Sequence, residues 1–312
     1  MTAQVFIDGA AGTTGLEIAD RLAGRADLSL IRLDDTRRKD PAARREALNG
    51  ADAVILCLPD DAAREAVSLI DNPHTRVIDA STAHRVADGW TYGFPELEPD
   101  GAARVAEAKR VSNPGCYPTG FLALVRPLVV AGLLPPDAPI TVNATSGYSG
   151  GGKAMIAAFE QADAPDATDT AFRLYGLSLG HKHVAEMQVH AGLTTAPLFA
   201  PAVARTYRGM IVQVPLPAAP PLEELRQALQ EAYQGRPLVT VVEGEEAGAM
   251  SVVTIERQAG TDRLELLVFG NEARRQARLV ACLDNLGKGA AGAAVQSLNL
   301  MLGLDELSGL RL

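Results

Sequence analysis

The first part of the chain alternates between short apolar runs and segments whose apolar positions recur every three or four residues. Residues 4–8 form a short apolar run that stops at Gly9, and after Gly15 the residues Leu16, Ile18, Ala19, Leu22 and Ala23 follow at helical spacing. This reads as strand, glycine turn, helix. Residues 28–33 predict a second strand. Asp40 as an N-cap and Pro41 at the first helical position open a helix to residue 48. Residues 51–58 are almost continuously apolar, the mark of a strand covered on both faces. Residues 60–70 predict a helix and 76–80 a fourth strand. Strands alternating with helices predict an α/β domain around a parallel, doubly wound sheet.

The pattern changes after Cys116. Residues 121–131 read as a helix, 140–144 as a strand and 147–152 as a glycine-rich loop. Strands then cluster at 200–206, 210–216, 238–242, 252–256 and 264–269, with one clear helix among them at 222–233. Consecutive strands with few crossovers predict a mixed sheet in a second, α+β domain. Residues 271–302 read as helical, apart from the glycines around Gly287.

Composition narrows the classes of function. The 312 residues carry 29 Lys and Arg against 38 Asp and Glu, a net charge of −9, which argues against nucleic acid as a partner. The most apolar stretch, 121–136, is broken by Arg126 and Pro127 and predicts no membrane span. The first residues show no basic region or apolar core of a signal peptide. Three cysteines, Cys57, Cys116 and Cys282, make no disulfide framework and no metal-binding spacing. A cytoplasmic protein without a metal is expected. Cys57 falls in the predicted strand 51–58 and Cys282 in the segment read as helical, and both read as small buried hydrophobes.

The glycine turn is G-x-x-G-x-x-G, built on Gly9, Gly12 and Gly15 with Thr13 and Thr14 between the last two. A strand before it and a helix after it suit a dinucleotide pyrophosphate, held by backbone N–H groups at the positive helix end. The turn departs from G-x-G-x-x-G because residue 11 is Ala. The end of the second strand faces the adenosine ribose in such folds, where an acid suits NAD and an arginine suits NADP. Asp34, Asp35, Arg37 and Arg38 supply both kinds. The adjacent Arg37 and Arg38, able to bracket a 2′-phosphate, favour NADP(H).

The stretch Val111-Ser112-Asn113-Pro114-Gly115-Cys116-Tyr117-Pro118-Thr119 ends a strand in a Pro-Gly turn and puts Cys116 at the start of a helix. A thiol there sits in the positive end of the helix dipole, which favours the thiolate. Neighbouring backbone N–H groups can receive an oxyanion.

Together, Ser112 to Thr119 and the glycine turn resemble the family of N-acetyl-γ-glutamyl-phosphate reductase and aspartate-semialdehyde dehydrogenase. Three further segments point to the former: Ser146 to Lys153 (SGYSGGGK), Gly180 to Met187 (GHKHVAEM) and Asp284 to Gln296 (DNLGKGAAGAAVQ). The matches run in family order over nearly the whole chain, and the compact length resembles the shorter bacterial subtype.

The resemblance implies NADPH-dependent reduction of N-acetyl-γ-glutamyl phosphate to N-acetyl-L-glutamate 5-semialdehyde, with release of phosphate, in arginine biosynthesis. Cys116 would attack the acyl phosphate to give a thioester, which hydride converts to the aldehyde by way of a thiohemiacetal. His181 and His183 are implied at the active site as the proton shuttle, with His181 the favoured base. Glu186, three residues after His183, orients that ring if the segment is helical. Asp79 to Arg85 resembles the family's loop after the fourth strand. It makes Arg85, aided by Asn113, the phosphate clamp, and Glu186 is counted with them on the substrate side. Ser146, Gly147 and Gly150 lie in a loop near the cofactor in relatives, and Asn285 is implied at the nicotinamide end. His74, His84 and His190 read as surface or structural histidines.

The expected architecture is therefore a Rossmann-like cofactor domain (1–116 and 286–312) and an α+β substrate and oligomerisation domain (117–285) with a mixed sheet. The resemblance further implies a homodimer or homotetramer. Aspartate-semialdehyde dehydrogenase, or a reductase of carrier-bound glutamyl or aminoadipyl phosphate, would keep the mechanism and change the substrate. A dinucleotide-binding regulator would keep the fold without turnover.

Overall fold

The computed structural model describes residues 2–34, 36, 37 and 40–312. Arg38, one of the two arginines expected near the ribose, lies outside the described residues. The chain forms two compact units: Met1–Pro95, Asp100–Pro114 and Ala290–Leu310 make the first, and Glu96–Pro99, Gly115–Gly289 and Arg311–Leu312 the second.

The first unit follows the alternation of its sequence: β1 (Ala3–Asp8), α1 (Thr13–Leu22), β2 (Leu28–Ile31), α2 (Pro41–Gly50), β3 (Ala53–Leu56), α3 (Asp60–Ser68), β4 (Arg76–Asp79), β5 (Thr91–Tyr92), α4 (Gly101–Glu107) and β6 (Arg110–Ser112). Asp40 caps α2 as expected, its carboxylate accepting the Ala42 N–H at 3.0 Å. The strands pair in the order β2-β1-β3-β4-β6-β5, all parallel.

Alternate side chains of these strands enter two different cores. Val5, Ile7, Ala53, Ile55 and Ile78 point to one face, where they join Ile18 and Leu22 of α1. Phe6, Val54, Leu56 and Val77 point to the other, against Ala47, Leu48 and Ala63 of α2 and α3. This two-sided burial is why residues 51–58 read as one apolar run. The order reverses direction between β1 and β3. That switch point leaves a crevice beyond the carboxyl ends of the strands, and the turn after β1 stands there.

The second unit contains α5 (Cys116–Val130), β7 (Thr141–Gly147), α6 (Gly152–Glu160), β8 (Phe172–Leu174), α7 (His183–Ala191), β9 (Leu198–Ala204), β10 (Met210–Leu216), α8 (Leu222–Tyr233), β11 (Val239–Val241), α9 (Gly244–Ala249), β12 (Leu264–Asn271) and β13 (Gln276–Leu283). Its sheet is mixed, in the order β11-β12-β13-β10-β7-β9-β8. α5 packs closely on this sheet at Gly120, where an added Cβ would meet a Val212 methyl at 2.7 Å. A cavity of about 870 Å³ opens among Ile211, Gln213, Phe269, Arg278 and Val280, and none of the expected site residues lines it. The chain then returns to the first unit as α10 (Gly292–Met301), whose Ala294, Val295, Leu298 and Met301 complete the core over β1 and β3.

Three readings of local structure need correction. Residues 276–283 form β13, not a helix, and pair antiparallel with both β12 and β10. The segment is short and apolar with two alanines, so its own propensity does not decide. Ladders on both sides do. Cys282 therefore lies in a strand. Residues 252–256 form no strand despite their Val, Thr and Ile content, and Val252 stays exposed. The glycine-rich loop at 147–152 contains a short 3₁₀ turn, Tyr148–Gly151, that runs into α6.

Candidate active site

In the first unit, the turn after β1 has the shape its glycines require. Gly9 has φ +87°, and a Cβ on it would stand 2.3 Å from the Cys57 carbonyl oxygen at the end of β3. A Cβ on Gly15 would stand 2.5 Å from the Gly9 oxygen. Gly12 is the N-cap of α1, and no side chain caps that helix. The Thr13 hydroxyl oxygen beside it is buried without a hydrogen-bond partner. A close backbone approach, an uncapped helix and an unpartnered hydroxyl fit a dinucleotide phosphate. Further along, the Arg37 side chain is exposed and reaches Glu46 at 3.1 Å. The Asp34 carboxyl is held below the usual range by the backbone N–H groups of Arg37 and Thr36. Sequence reasoning missed Arg44, whose Nε meets the Asp8 carboxylate at 2.7 Å at the end of β1.

The loop after β4 is organised by Asp79, which is fully buried. Its carboxylate accepts from the Ser81 N–H and hydroxyl and lies 2.6 Å from His84 Nδ1. The His84 ring stacks on Trp90 at 4.1 Å, in keeping with a structural histidine. Arg85, nearly buried, donates from Nε to the Asn113 carbonyl at 3.0 Å and from Nη2 to the Ala80 carbonyl at 3.2 Å. Asn113 donates from its side chain to the Ala290 carbonyl at 3.0 Å, and its Oδ1 is buried without a partner. Arg85 and Asn113 are thus brought together, and Arg85 ties the backbone at Asn113 to that at Ala80.

In the second unit, Cys116 is the first residue of α5, with Gly115 as an N-cap that brings no side-chain cap. A thiolate here faces the positive end of a fifteen-residue helix. The Gly115 N–H donates to Glu186 Oε1 at 2.8 Å, and Glu186 is 1% exposed on α7. Glu186 thus anchors the turn into the cysteine. His183 opens α7, and its ring centre is 4.7 Å from that of His181. The His183 backbone N–H donates to His181 Nδ1 at 3.2 Å. A nitrogen that accepts carries no proton, which leaves Nε2 as the position that holds the proton of a neutral His181 ring.

Tyr117, Tyr175 and Phe199 surround the two rings at centre distances of 5.1 to 6.3 Å. The Tyr175 hydroxyl donates to that of Tyr117, which donates to the Ala202 carbonyl. Burial pushes the Tyr175 phenol up to about 12. Both tyrosines escaped the sequence reading of site residues, although Tyr117 adjoins Cys116.

Ser146, Gly147, Gly150 and Asn285 also meet in this unit. Asn285 accepts from the Gly209 N–H at 3.0 Å and donates to the Ser149 hydroxyl at 2.9 Å. A Cβ on Gly150 would stand 3.0 Å from the Ser146 hydroxyl. Both ends of the Asn285 amide are therefore engaged in tying loops together. The turn after Asn285 closes on the cysteine, because a Cβ on Gly289 would stand 2.9 Å from Cys116 Cβ. Burial pushes the other two thiols, Cys57 and Cys282, up to about 12. Among the described residues, no group of three or more His, Cys, Asp or Glu is placed to hold a metal ion, and no helix is long and apolar enough to cross a membrane.

Comparison with known proteins agrees with this geometry. Residues 4–105 match the semialdehyde dehydrogenase NAD-binding domain, and residues 116–285 match the semialdehyde dehydrogenase dimerisation domain. N-acetyl-gamma-glutamyl-phosphate reductase 2 of Nostoc sp. is 51% identical, over 98% of this chain and 99% of its own. The chain belongs to the N-acetyl-γ-glutamyl-phosphate reductase family. Among solved structures, a probable aspartate-semialdehyde dehydrogenase from Pseudomonas aeruginosa has a TM-score of 0.72 at 18% identity, over 97% of this chain and 99% of that one. The aspartate semialdehyde dehydrogenase from Candida albicans, solved with NADP, has a TM-score of 0.65 at 14% identity, over 97% and 99%. These two share the fold: a Rossmann-like parallel-sheet domain and a mixed-sheet domain. The first unit carries the family's nicotinamide-dinucleotide domain, and Cys116 is the first residue of its dimerisation domain.

Proposed function

We propose that the protein reduces N-acetyl-γ-glutamyl phosphate to N-acetyl-L-glutamate 5-semialdehyde, releasing phosphate, as a cytoplasmic step of arginine biosynthesis. One observation carries the reading. A helix-start cysteine shares a unit with two histidines in edge-on ring contact, in a chain 51% identical to a reductase of that name.

Cys116 attacks the acyl phosphate, the bond to phosphate breaks, and a thioester forms on Sγ. The uncapped N-terminal turn of α5 offers backbone N–H groups to the carbonyl oxygen as charge develops on it. A bound nicotinamide dinucleotide supplies the hydride. His181, with Nδ1 engaged, keeps its Nε2 proton and donates it as a hydrogen bond to the thiohemiacetal oxyanion that hydride addition leaves, which collapses to the aldehyde as the Cys116 thiolate departs. His183 supports that ring, and Glu186 fixes the Gly115 turn. Arg85 binds the phosphoryl group while holding the Asn113 backbone, and Asn113 Oδ1 accepts an N–H or O–H of the bound ligand. Gly9, Gly12, Thr13, Thr14 and Gly15 hold the pyrophosphate. Arg37 and Arg38 favour NADP over NAD. Ser146, Gly147, Gly150 and Asn285 shape the nicotinamide side. The first unit serves as the NADP domain, and the second binds substrate and joins subunits into a dimer or tetramer.

The test is phosphate-dependent reduction of NADP by N-acetylglutamate semialdehyde, with NAD and aspartate semialdehyde run in parallel. Turnover with the first pair, falling to background in Cys116→Ser while NADP still binds, is the expected result. Faster turnover of aspartate semialdehyde would overturn the substrate. Cofactor binding without turnover of either would overturn the enzyme reading.

A further inference from the structure

A buried ion pair in the second unit has no part in the chemistry above. Lys288 Nζ lies 2.7 and 2.9 Å from the two oxygens of Glu96, and both side chains are 1% exposed. Burying two charges costs several kcal/mol of desolvation per ion, and an apolar pair of similar volume is often as stable or more so. Stability alone is therefore a weak reason for the pair, and its surroundings give a better one.

Lys288 sits in the turn that closes on the nucleophile. Asp284 shapes that turn, its carboxylate accepting the Leu286 N–H at 2.7 Å and its carbonyl the Gly289 N–H at 3.0 Å. The turn has π-helical hydrogen bonding over Gly287–Ala291, a form common at functional sites. Its Gly289 faces Cys116 so closely that a Cβ would stand 2.9 Å from Cys116 Cβ and 3.3 Å from Cys116 Cα.

Glu96 belongs to the short segment Glu96–Pro99, which is fastened to the cysteine's own helix. Arg126 of α5 meets Glu98 at 2.8 Å. Arg236 donates to the Glu98 and Pro99 carbonyls at 3.0 and 2.9 Å. Tyr233 donates to the Ala123 carbonyl in the middle of α5, and burial together with Glu96 and Glu98 pushes its phenol well above the ordinary value. One four-residue segment thus holds α5 on one side and the Gly289 turn on the other.

We propose that Lys288 and Glu96 are positioning residues, whose buried ion pair clasps the Gly289 turn against Cys116 and fixes the nucleophile's place at the head of α5. The inference rests on the reading of Cys116 as the nucleophile. Lys288 is part of the Asp284 to Gln296 motif, but its neighbours in that motif give no reason for its charge. Glu96, 192 positions earlier, supplies it.

The decisive variant of the full-length protein is the double change Lys288→Met with Glu96→Leu, which removes both buried charges together where either single change would remove one. Melting, kcat and KM in the phosphate-dependent assay, and the pH profile of Cys116 alkylation by iodoacetamide are measured against wild type. The double variant is expected to melt within a few degrees of wild type, with kcat down about 10- to 100-fold and both KM values within about twofold. Its alkylation profile is expected to be displaced along the pH axis. A folded double variant with kcat within about twofold of wild type and a superimposable alkylation profile would overturn the proposal. If the double variant does not fold, Glu96→Gln, which keeps an acceptor for the ammonium, is read by the same criteria. Absence of turnover in the wild type would count against the proposed reaction, and the alkylation profiles would still decide the role of the pair.

Discussion

Gly289→Ala tests how tightly Cys116 is held. Gly289 lies in a helical turn, so alanine is acceptable to its backbone and is favoured by up to about 1 kcal/mol on helix propensity. Packing acts in the opposite direction. The new methyl would lie 2.9 Å from Cys116 Cβ and 3.0 Å from the Asp284 carbonyl oxygen. Carbon atoms prefer a separation of roughly 3.5–4.0 Å, so turn and cysteine must part by about 0.6–1 Å. Overpacking of this kind costs roughly 1–3 kcal/mol, of which the helix preference offsets at most about 1. The effect on rate is larger, because a displacement of about 1 Å at a reacting group can cost about 100-fold. The assay is kcat for phosphate-dependent NADP reduction, with the iodoacetamide rate of Cys116 and a thermal melt on the same preparations. The expected outcome is a fall in kcat of about 10- to 100-fold with a melting temperature lower by only a few degrees. A variant that melts higher than wild type and keeps kcat within about twofold would show that the turn yields freely, and the contact would carry no catalytic meaning.

Three further outcomes are expected. Cys57 and Cys282, with thiols pushed up to about 12, stay protonated and unlabelled by iodoacetamide between pH 7 and about 9 while Cys116 reacts, which mass spectrometry of the labelled protein would show. Gly9→Ala meets both a φ of +87° and a carbonyl oxygen 2.3 Å away, so titration should show dinucleotide binding weakened by at least about tenfold, with stability reduced by more than about 1 kcal/mol. Leu298→Ala removes a fully buried side chain of α10 from the core over β1 and β3, and urea unfolding should show a loss of about 2–5 kcal/mol.

Much of the first unit was legible because its elements from β1 to β4 are stated by local chemistry. Two-sided burial wrote β3 as an apolar run, Asp40 and Pro41 wrote the start of α2, and the glycines wrote the turn whose φ and clearances demand them. The second unit was harder to read. β13 is held by ladders to β12 and β10, and neither partner can be found by looking along residues 276–283. Residues 252–256 have strand-like composition and no partner strand, so they stay irregular and enter a turn at Ile255. Cys116 was singled out because a Pro-Gly turn before a helix is a local signal. The two histidines were singled out by resemblance. Glu186, expected to orient the His183 ring and counted on the substrate side, also accepts the Gly115 N–H, a contact 71 positions away that no local pattern announces. Arg44, Tyr175 and Glu96 carry no local mark at all.

The sequence by itself determined which residues can do chemistry and where backbone must bend: a thiol at a helix start, imidazoles two residues apart, glycines where a Cβ has no room. These are properties of residues and their near neighbours, governed by side-chain pKa, helix polarity and steric limits on φ. Tertiary structure alone decided which of those residues meet. Hydrogen bonding between segments far apart in the chain set Asn285 between Gly209 and Ser149, set Glu186 against Gly115, and set Lys288 against Glu96. Buried polar groups must find partners within reach, and reach is a property of the folded chain.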